Sequence, residues 1–123
     1  MPRILIVDDS LLIRNIVRDC FEAVPGWQVC GEAGNGKEGI EKAQEVHPSL
    51  IVLDLSMPVM NGLDAAKALH RLMPAVPVIM FTSFITHHLE KEALAAGVSR
   101  VMNKEEPLTN LVTAAQSLTR DAA

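Results

Sequence analysis

A short apolar run that ends on a carboxylate constrains this chain more than any other feature. Leu50–Leu53 are four consecutive aliphatic residues, a pattern typical of a strand buried on both faces of a parallel sheet. Asp54 follows directly, and Pro58 cannot continue the hydrogen bonding of a strand. Asp54 is therefore expected where a buried strand meets solvent. A carboxylate placed there is costly without partners, so other parts of the chain should supply them.

Short apolar runs alternate with segments of helical periodicity along all 123 residues. The expected strands are residues 4–7, 28–33, 50–53, 76–81 and 98–103. The expected helices are a segment from Ser10 to the Pro25-Gly26 break, residues 37–46, a segment from Asn61-Gly62 to Pro74, residues 86–96, and a segment that begins at Pro107. This alternation predicts one α/β domain, residues 1–123, with helices on both faces of a parallel sheet.

Composition excludes several classes of protein. Aromatic residues make up only 3% of the chain, so the core must be aliphatic, and we expect Ile16 and Leu72 to face it.

The net charge of −4, with 11 scattered basic residues, argues against direct nucleic-acid binding. No segment approaches the ~18 apolar residues of a membrane helix, and the N-terminus lacks a signal-peptide pattern. We therefore expect a cytoplasmic protein with Cys20 and Cys30 as buried free thiols.

Polar residues stand at four of the five expected strand ends. They are Asp8 and Asp9 after the first strand, Asp54 after the third, Thr82 and Ser83 after the fourth, and Lys104 after the fifth. The carboxyl ends of parallel strands share one edge of the sheet, where ligands bind, so these side chains should converge. Three adjacent carboxylates repel one another, and Mg²⁺ would relieve that repulsion while leaving room for phosphate oxygens.

The same group of residues suits phosphoryl transfer. A metal ion, an ammonium group and a hydroxyl directed at one point match the needs of phosphoryl oxygens, and aspartate can accept a phosphoryl group covalently. We infer that Asp54 is phosphorylated, while Asp8 and Asp9 hold the metal.

These motifs resemble those of receiver domains of two-component response regulators. The matching segments are residues 6–10, Asp54-Leu55-Ser56-Met57-Pro58 with Met60 and Gly62, Thr82-Ser83, and Gly97 followed by Lys104. The resemblance implies a flavodoxin-like (βα)5 three-layer sandwich, with a five-stranded parallel sheet in the order 2-1-3-4-5. It is compatible with a stand-alone receiver or with the N-terminal part of a transcriptional regulator.

The resemblance also assigns roles around the expected metal. Asp54 would accept its phosphoryl group from a sensor histidine kinase or a phosphotransfer protein, in a reaction that requires Mg²⁺. Asp9 would bind Mg²⁺ directly, Asp8 would bind it through water, and the backbone carbonyl of Ser56 would complete the protein ligands.

By this resemblance, Thr82 and Lys104 would act as the switch residues. Each would contact the new phosphoryl group, whose charge draws them inward. An output protein or domain would bind the face formed by the fourth helix, the fifth strand and the fifth helix, and phosphorylation-dependent homodimerisation stays open. Val101 stands where the family usually has an aromatic switch residue, so signalling by rotation of an aromatic ring cannot operate in the usual way.

Two further departures lie next to the switch residues. Glu105 follows Lys104 where relatives often have proline, so a trans peptide bond is expected, because a cis bond before a non-proline residue costs ~2.5–4 kcal/mol. Phe84, after Ser83, stands two residues beyond Thr82, where many relatives carry a polar residue. Our hypothesis is that Phe84 shields the aspartyl phosphate from water.

Two alternatives to a phosphorylated receiver remain open. A degenerate receiver would act as an interaction module without phosphorylation, although the intact acidic residues argue against it. A Mg²⁺-dependent phosphatase with an aspartyl-phosphate intermediate would carry a second acid two residues after its nucleophile, where this chain has Ser56. We therefore expect a domain that catalyses only its own phosphorylation and dephosphorylation, and no separate enzyme activity.

Overall fold

Five parallel strands form the sheet at the centre of the structure. The structure is a computed structural model and describes residues 2–120. The strands are β1 (Arg3–Val7), β2 (Gln28–Ala33), β3 (Leu50–Leu53), β4 (Val78–Thr82) and β5 (Arg100–Asn103). Their order is β2-β1-β3-β4-β5, and each adjacent pair is parallel. The predicted fold class and strand order are confirmed; residue 1 and residues 121–123 of the predicted domain lie outside the described part.

Five helices connect and cover the strands. They are α1 (Leu11–Glu22), α2 (Gly36–Val46), α3 (Gly62–Leu72), α4 (His87–Ala95) and α5 (Leu108–Thr119). Four helices begin at a residue whose side chain accepts a backbone N–H from three residues further on; these residues are Ser10, Asn35, Asn61 and Thr86. Such N-caps satisfy an otherwise unpaired donor and define the residue at which each helix begins.

The core is aliphatic and divided by the sheet into two layers. Alternate residues of β1 and β3 point to opposite sides, since successive side chains of a strand alternate. One layer contains Leu5, Val7, Ile51 and Leu53 with residues of α3 and α4. The other contains Ile4, Ile6, Leu50 and Val52 with residues of α1 and α5. The sheet is therefore buried on both faces, as the unbroken apolar strands predict.

Four burial predictions need correction. Ile16 is 39% exposed and Leu72 is 49% exposed, because other residues of their helices, such as Val17 and Leu69, form the inward faces. Cys20 and Cys30 are free but only partly buried; burial still raises the pKa of both thiols. Within residues 2–120, no helix combines the length and apolar character needed to cross a membrane.

The loop after β3 contains a strained residue. Val59 has a φ of 69° and is 78% exposed, although the left-handed region is unfavourable for a β-branched side chain. We expect Val59→Asn to stabilise the protein by about 1 kcal/mol, because asparagine tolerates this conformation. Urea unfolding would measure the gain. Val59→Thr keeps the branched Cβ and should give no gain; equal stability of the two variants would contradict the explanation.

Candidate functional site

Asp54 lies directly after β3 at the carboxyl edge of the sheet. Its backbone N–H donates to the carbonyl of Val7 at 2.9 Å, which extends the pairing of β3 with β1. The residue is buried, and its Oδ1 accepts the N–H of Leu55 at 2.8 Å. The carbonyl of Leu55 accepts the N–H of Gly62 at 2.8 Å, so the loop that carries Asp54 is attached to the start of α3.

Asp8 and Asp9 extend from the end of β1 next to Asp54. Asp8 is buried; its N–H donates to the carbonyl of Ala33 at 3.0 Å, and its Oδ1 accepts the N–H of Ser10 at 2.9 Å. One carboxylate oxygen from each of Asp8, Asp9 and Asp54 lies within 4.8 Å of the other two. The predicted convergence of the three acids is therefore confirmed. A set of hard oxygen donors at this separation fits a divalent cation such as Mg²⁺.

Lys104 brings a positive charge into the acidic cluster. Its Nζ lies 2.8 Å from Oδ2 of Asp8 and 3.3 Å from Oδ2 of Asp54. Its backbone N–H donates to the carbonyl of Thr82 at 2.9 Å, so the pairing of β5 with β4 places Lys104 beside the end of β4. Only 16% of its side chain is exposed. The ammonium group is therefore shared by two buried carboxylates.

Buried Asp54 and partly buried Lys104 change each other's pKa. Burial and the neighbouring charge of Asp8 raise the pKa of Asp54, against the opposing effect of Lys104. Burial alone would lower the pKa of Lys104, but its hydrogen bond to Asp8 and the charges of Asp54 and Asp8 outweigh burial and raise it. Three carboxylates and one ammonium group leave a formal charge of −2. One Mg²⁺ would neutralise that charge.

The remaining predicted site residues occupy different surroundings. Thr82 is buried at the end of β4, on the same edge as Lys104. Ser56 and Ser83 are exposed. Phe84 is 79% exposed, and its shielding of the aspartyl phosphate stays a prediction. Val101 is partly buried and packs against the core layer that includes α4.

The loop after Lys104 is held by local hydrogen bonds. Oδ1 of Asn103 accepts the N–H of Glu105 at 2.8 Å, and a carboxylate oxygen of Glu106 accepts the N–H of Asn103 at 3.3 Å. No cis peptide bond occurs in residues 2–120, as expected for the bond between Lys104 and Glu105.

Sequence reasoning missed a second layer of polar contacts around Asp8. Nη1 of Arg14 donates to the backbone carbonyl of Asp8 at 2.6 Å, and Nε of Arg14 donates to Oε1 of Glu32 at 2.9 Å. Arg18 binds the other oxygen of Glu32. The available signal was weak: two arginines four residues apart on a helix, and one glutamate within a β-strand.

A five-stranded parallel sheet in this order, with its polar site at the carboxyl edge, defines a flavodoxin-like α/β domain. The family model for the response regulator receiver domain matches residues 4–116. The chain belongs to the response regulator receiver family. Members of this family bind Mg²⁺ at an acidic pocket and interact with histidine kinases and output domains.

Individual relatives agree with this membership. The chemotaxis protein CheY of Thermotoga maritima is 32% identical over 118 residues, which cover 96% of this chain and 98% of that protein. The crystal structure of the response regulator domain of Thermotoga maritima CheB aligns with this structure with a TM-score of 0.86. The two sequences are 30% identical, and the alignment covers 99% of this chain and 96% of the other.

Longer relatives carry an additional named activity. The protein-glutamate methylesterase/protein-glutamine glutaminase 1 of Methanosarcina acetivorans is 45% identical over 94 residues, which cover 76% of this chain and 26% of that protein. The chain therefore spans about a quarter of the length of such relatives.

Proposed function

We propose that this receiver is a phosphorylation switch in which Asp54 accepts the phosphoryl group in a Mg²⁺-dependent reaction. The observation that carries the proposal is the placement of Asp54 within the three-carboxylate cluster, with Nζ of Lys104 at 3.3 Å from its Oδ2. A nucleophile, a site for a divalent cation and a fixed ammonium group then meet at one point, as phosphoryl transfer requires.

The chemistry follows from the two oxygens of Asp54. Oδ1 accepts the N–H of Leu55, whereas Oδ2 faces Lys104, so Oδ2 is the proposed nucleophile. A bond forms between Oδ2 and phosphorus as the bond from phosphorus to the donor's leaving group breaks. Lys104 would then move its ammonium group from Oδ2 to a phosphoryl oxygen. Mg²⁺, held by Asp8, Asp9, Asp54 and the carbonyl of Ser56, would neutralise charge on the phosphoryl oxygens.

The proposed partners follow from the family. A sensor histidine kinase or a phosphotransfer protein would supply the phosphoryl group, and an output protein or domain would bind the face formed by α4, β5 and α5. Thr82 would hydrogen-bond the phosphoryl group, and Ser83, Phe84 and Val101 would modulate its lifetime or its readout. A cytoplasmic location and phosphorylation-dependent homodimerisation stay predictions.

Intact-mass spectrometry after incubation with acetyl phosphate tests the proposal. We expect a gain of one phosphoryl group in the presence of Mg²⁺, no gain in EDTA, and no gain in Asp54→Asn. The amide preserves the size of the side chain but is not an anionic nucleophile, so its modification would place the acceptor elsewhere. If neither acetyl phosphate nor a panel of histidine kinases modifies the folded wild-type chain, the degenerate-receiver alternative is favoured and the switch is rejected.

A further inference from the structure

The carboxylate of Asp9 is placed by its backbone rather than by side-chain partners. Within residues 2–120 it makes no hydrogen bond or ion pair, and the residue is exposed. Asp8 and Asp54, in contrast, are buried and each contacts Lys104. The contribution of Asp9 to a cation site therefore depends on the orientation of the peptide group that joins it to Asp8.

Arg14 holds that peptide group. Its Nη1 donates to the carbonyl of Asp8 at 2.6 Å, and the carbonyl carbon of Asp8 is bonded directly to the nitrogen of Asp9. Rotation of this peptide would break the hydrogen bond to Arg14 and turn Asp9 away from the other two carboxylates. The hydrogen bond is charge-assisted, and such bonds are stronger than neutral ones.

Glu32 in turn fixes the guanidinium group of Arg14. Its Oε1 accepts from Nε of Arg14 at 2.9 Å, while its Oε2 accepts from Nε of Arg18 at 2.8 Å. The side chains of Arg14 and Glu32 are 18% and 21% exposed. The hydrogen bonds to its two arginines lower the pKa of Glu32 despite its partial burial. A chain of contacts thus runs from Glu32 in β2 through Arg14 in α1 to the backbone of the acidic loop.

We propose that Arg14 is a positioning residue for the Mg²⁺ site, acting through the peptide group between Asp8 and Asp9. This inference rests on the proposed function, since it assumes that the acidic cluster binds Mg²⁺. It assigns a cationic side chain a favourable role in binding a cation. That assignment is testable because the direct electrostatic effect of Arg14 has the opposite sign: removing a nearby positive charge alone would strengthen Mg²⁺ binding.

Calorimetric titration of the metal-free protein with MgCl2, without a phosphodonor, tests the proposal. Losing a residue that orients a metal ligand typically costs 10–100-fold in affinity, so we expect Arg14→Ala to weaken Mg²⁺ binding about 10-fold. Arg18→Ala is the matched control, because it removes the same charge and a contact with the same partner, Glu32, without touching Asp8. It also removes a partly exposed ion pair with Glu22, which lies outside the contacts that lead to Asp8. We expect it to bind Mg²⁺ as tightly as the wild type or more tightly.

A second pair of variants tests the same proposal if the alanine variants fold poorly. A guanidinium group can donate to Glu32 and to the carbonyl of Asp8 at the same time, and a lysine ammonium group cannot reproduce that geometry. Arg14→Lys should therefore weaken Mg²⁺ binding partially, whereas Arg18→Lys should not. At saturating Mg²⁺, acetyl phosphate should modify Arg18→Ala at about the wild-type rate. Arg14→Ala should need a higher Mg²⁺ concentration for its half-maximal rate, whereas general structural damage would lower the rate without changing that concentration.

The outcomes separate the two levels of the proposal. If the wild type binds Mg²⁺ but the Arg14 variants bind it as tightly as their Arg18 counterparts, Arg14 does not position the site and the proposed function stands. If the wild type itself does not bind Mg²⁺, the proposed Mg²⁺-dependent function fails, and the role of Arg14 fails with it.

Discussion

Replacing Lys104 with methionine is expected to destabilise the metal-free protein by roughly 3 kcal/mol at neutral pH, because removing one partner of a buried ion pair leaves uncompensated charge. Lys104 is shared by Asp8 and Asp54 at 2.8 Å and 3.3 Å. Without it, two buried carboxylates would face each other with no counterion. Urea unfolding in EDTA measures the loss. Lys67→Met is a suitable control, since Lys67 is exposed and its replacement should change stability by less than about 0.5 kcal/mol.

Two treatments should reverse most of this loss. Mg²⁺ would replace the missing positive charge, and a second substitution, Asp54→Asn, would remove one of the repelling charges. Failure of both to restore stability would mean that Lys104 acts through packing of its alkyl chain rather than through charge.

The pH dependence should have a defined sign. The pKa of Asp54 is raised in the folded protein, so its contribution to stability is greatest at low pH and is lost as pH rises through that pKa. Lys104→Met should raise the pKa of Asp54 further, and the deficit relative to the wild type should therefore shrink as the pH falls from neutral towards the raised pKa of Asp54. The raised pKa of Lys104 acts at the other extreme, where its stabilisation is lost as pH rises through the folded-state value.

Gly62→Ala is expected to cost about 3 kcal/mol of stability, at the upper end of the usual range for overpacking. A Cβ at this position would lie 2.1 Å from the carbonyl oxygen of Asp54 and 2.9 Å from Cα of Leu55. Both are backbone atoms, so no side-chain rotation can relieve the contact. The loop after β3 would have to move, and Asp54 would move with it. We therefore expect slower acetyl phosphate uptake as well as easier unfolding in urea.

Gly34→Ala provides the comparison for this substitution. Its added Cβ would lie 3.5 Å from a carboxylate oxygen of Glu38 and 3.8 Å from Nη1 of Arg14, which are ordinary contacts with movable side chains. We expect a change below about 0.5 kcal/mol. Comparable losses at positions 34 and 62 would show that the cost arises from glycine replacement in general and not from the close approach to Asp54.

The fold could be predicted because its signals are local. Unbroken apolar runs such as Leu50–Leu53 specify buried parallel strands, and residues such as Ser10 specify helix starts. The acidic site followed from the same logic, since every strand of a parallel sheet ends at the same edge. Burial at helix margins was less predictable: Ile16 and Leu72 are apolar, but the inward face of each helix is set by its neighbours in three dimensions.

The contacts behind the site could not be predicted in this way. Arg14 occupies a polar position of an amphipathic helix, where sequence periodicity predicts only that it avoids the core. Its hydrogen bond to the backbone carbonyl of Asp8 depends on the relative placement of α1 and the β1 loop. A backbone acceptor leaves no mark on the sequence, because any residue could supply it.

The hydrogen bond from the backbone N–H of Lys104 to the carbonyl of Thr82 has a mechanical consequence. It ties the ends of β4 and β5 together, so a displacement of Thr82 towards a phosphoryl group would shift the end of β5 in concert. Val101 in β5 packs in the same core layer as Leu89 and Ala93 of α4. Because β5 contains no aromatic side chain, we expect the motion to reach α4 as a translation of the packed β5 backbone and not as the rotation of a ring.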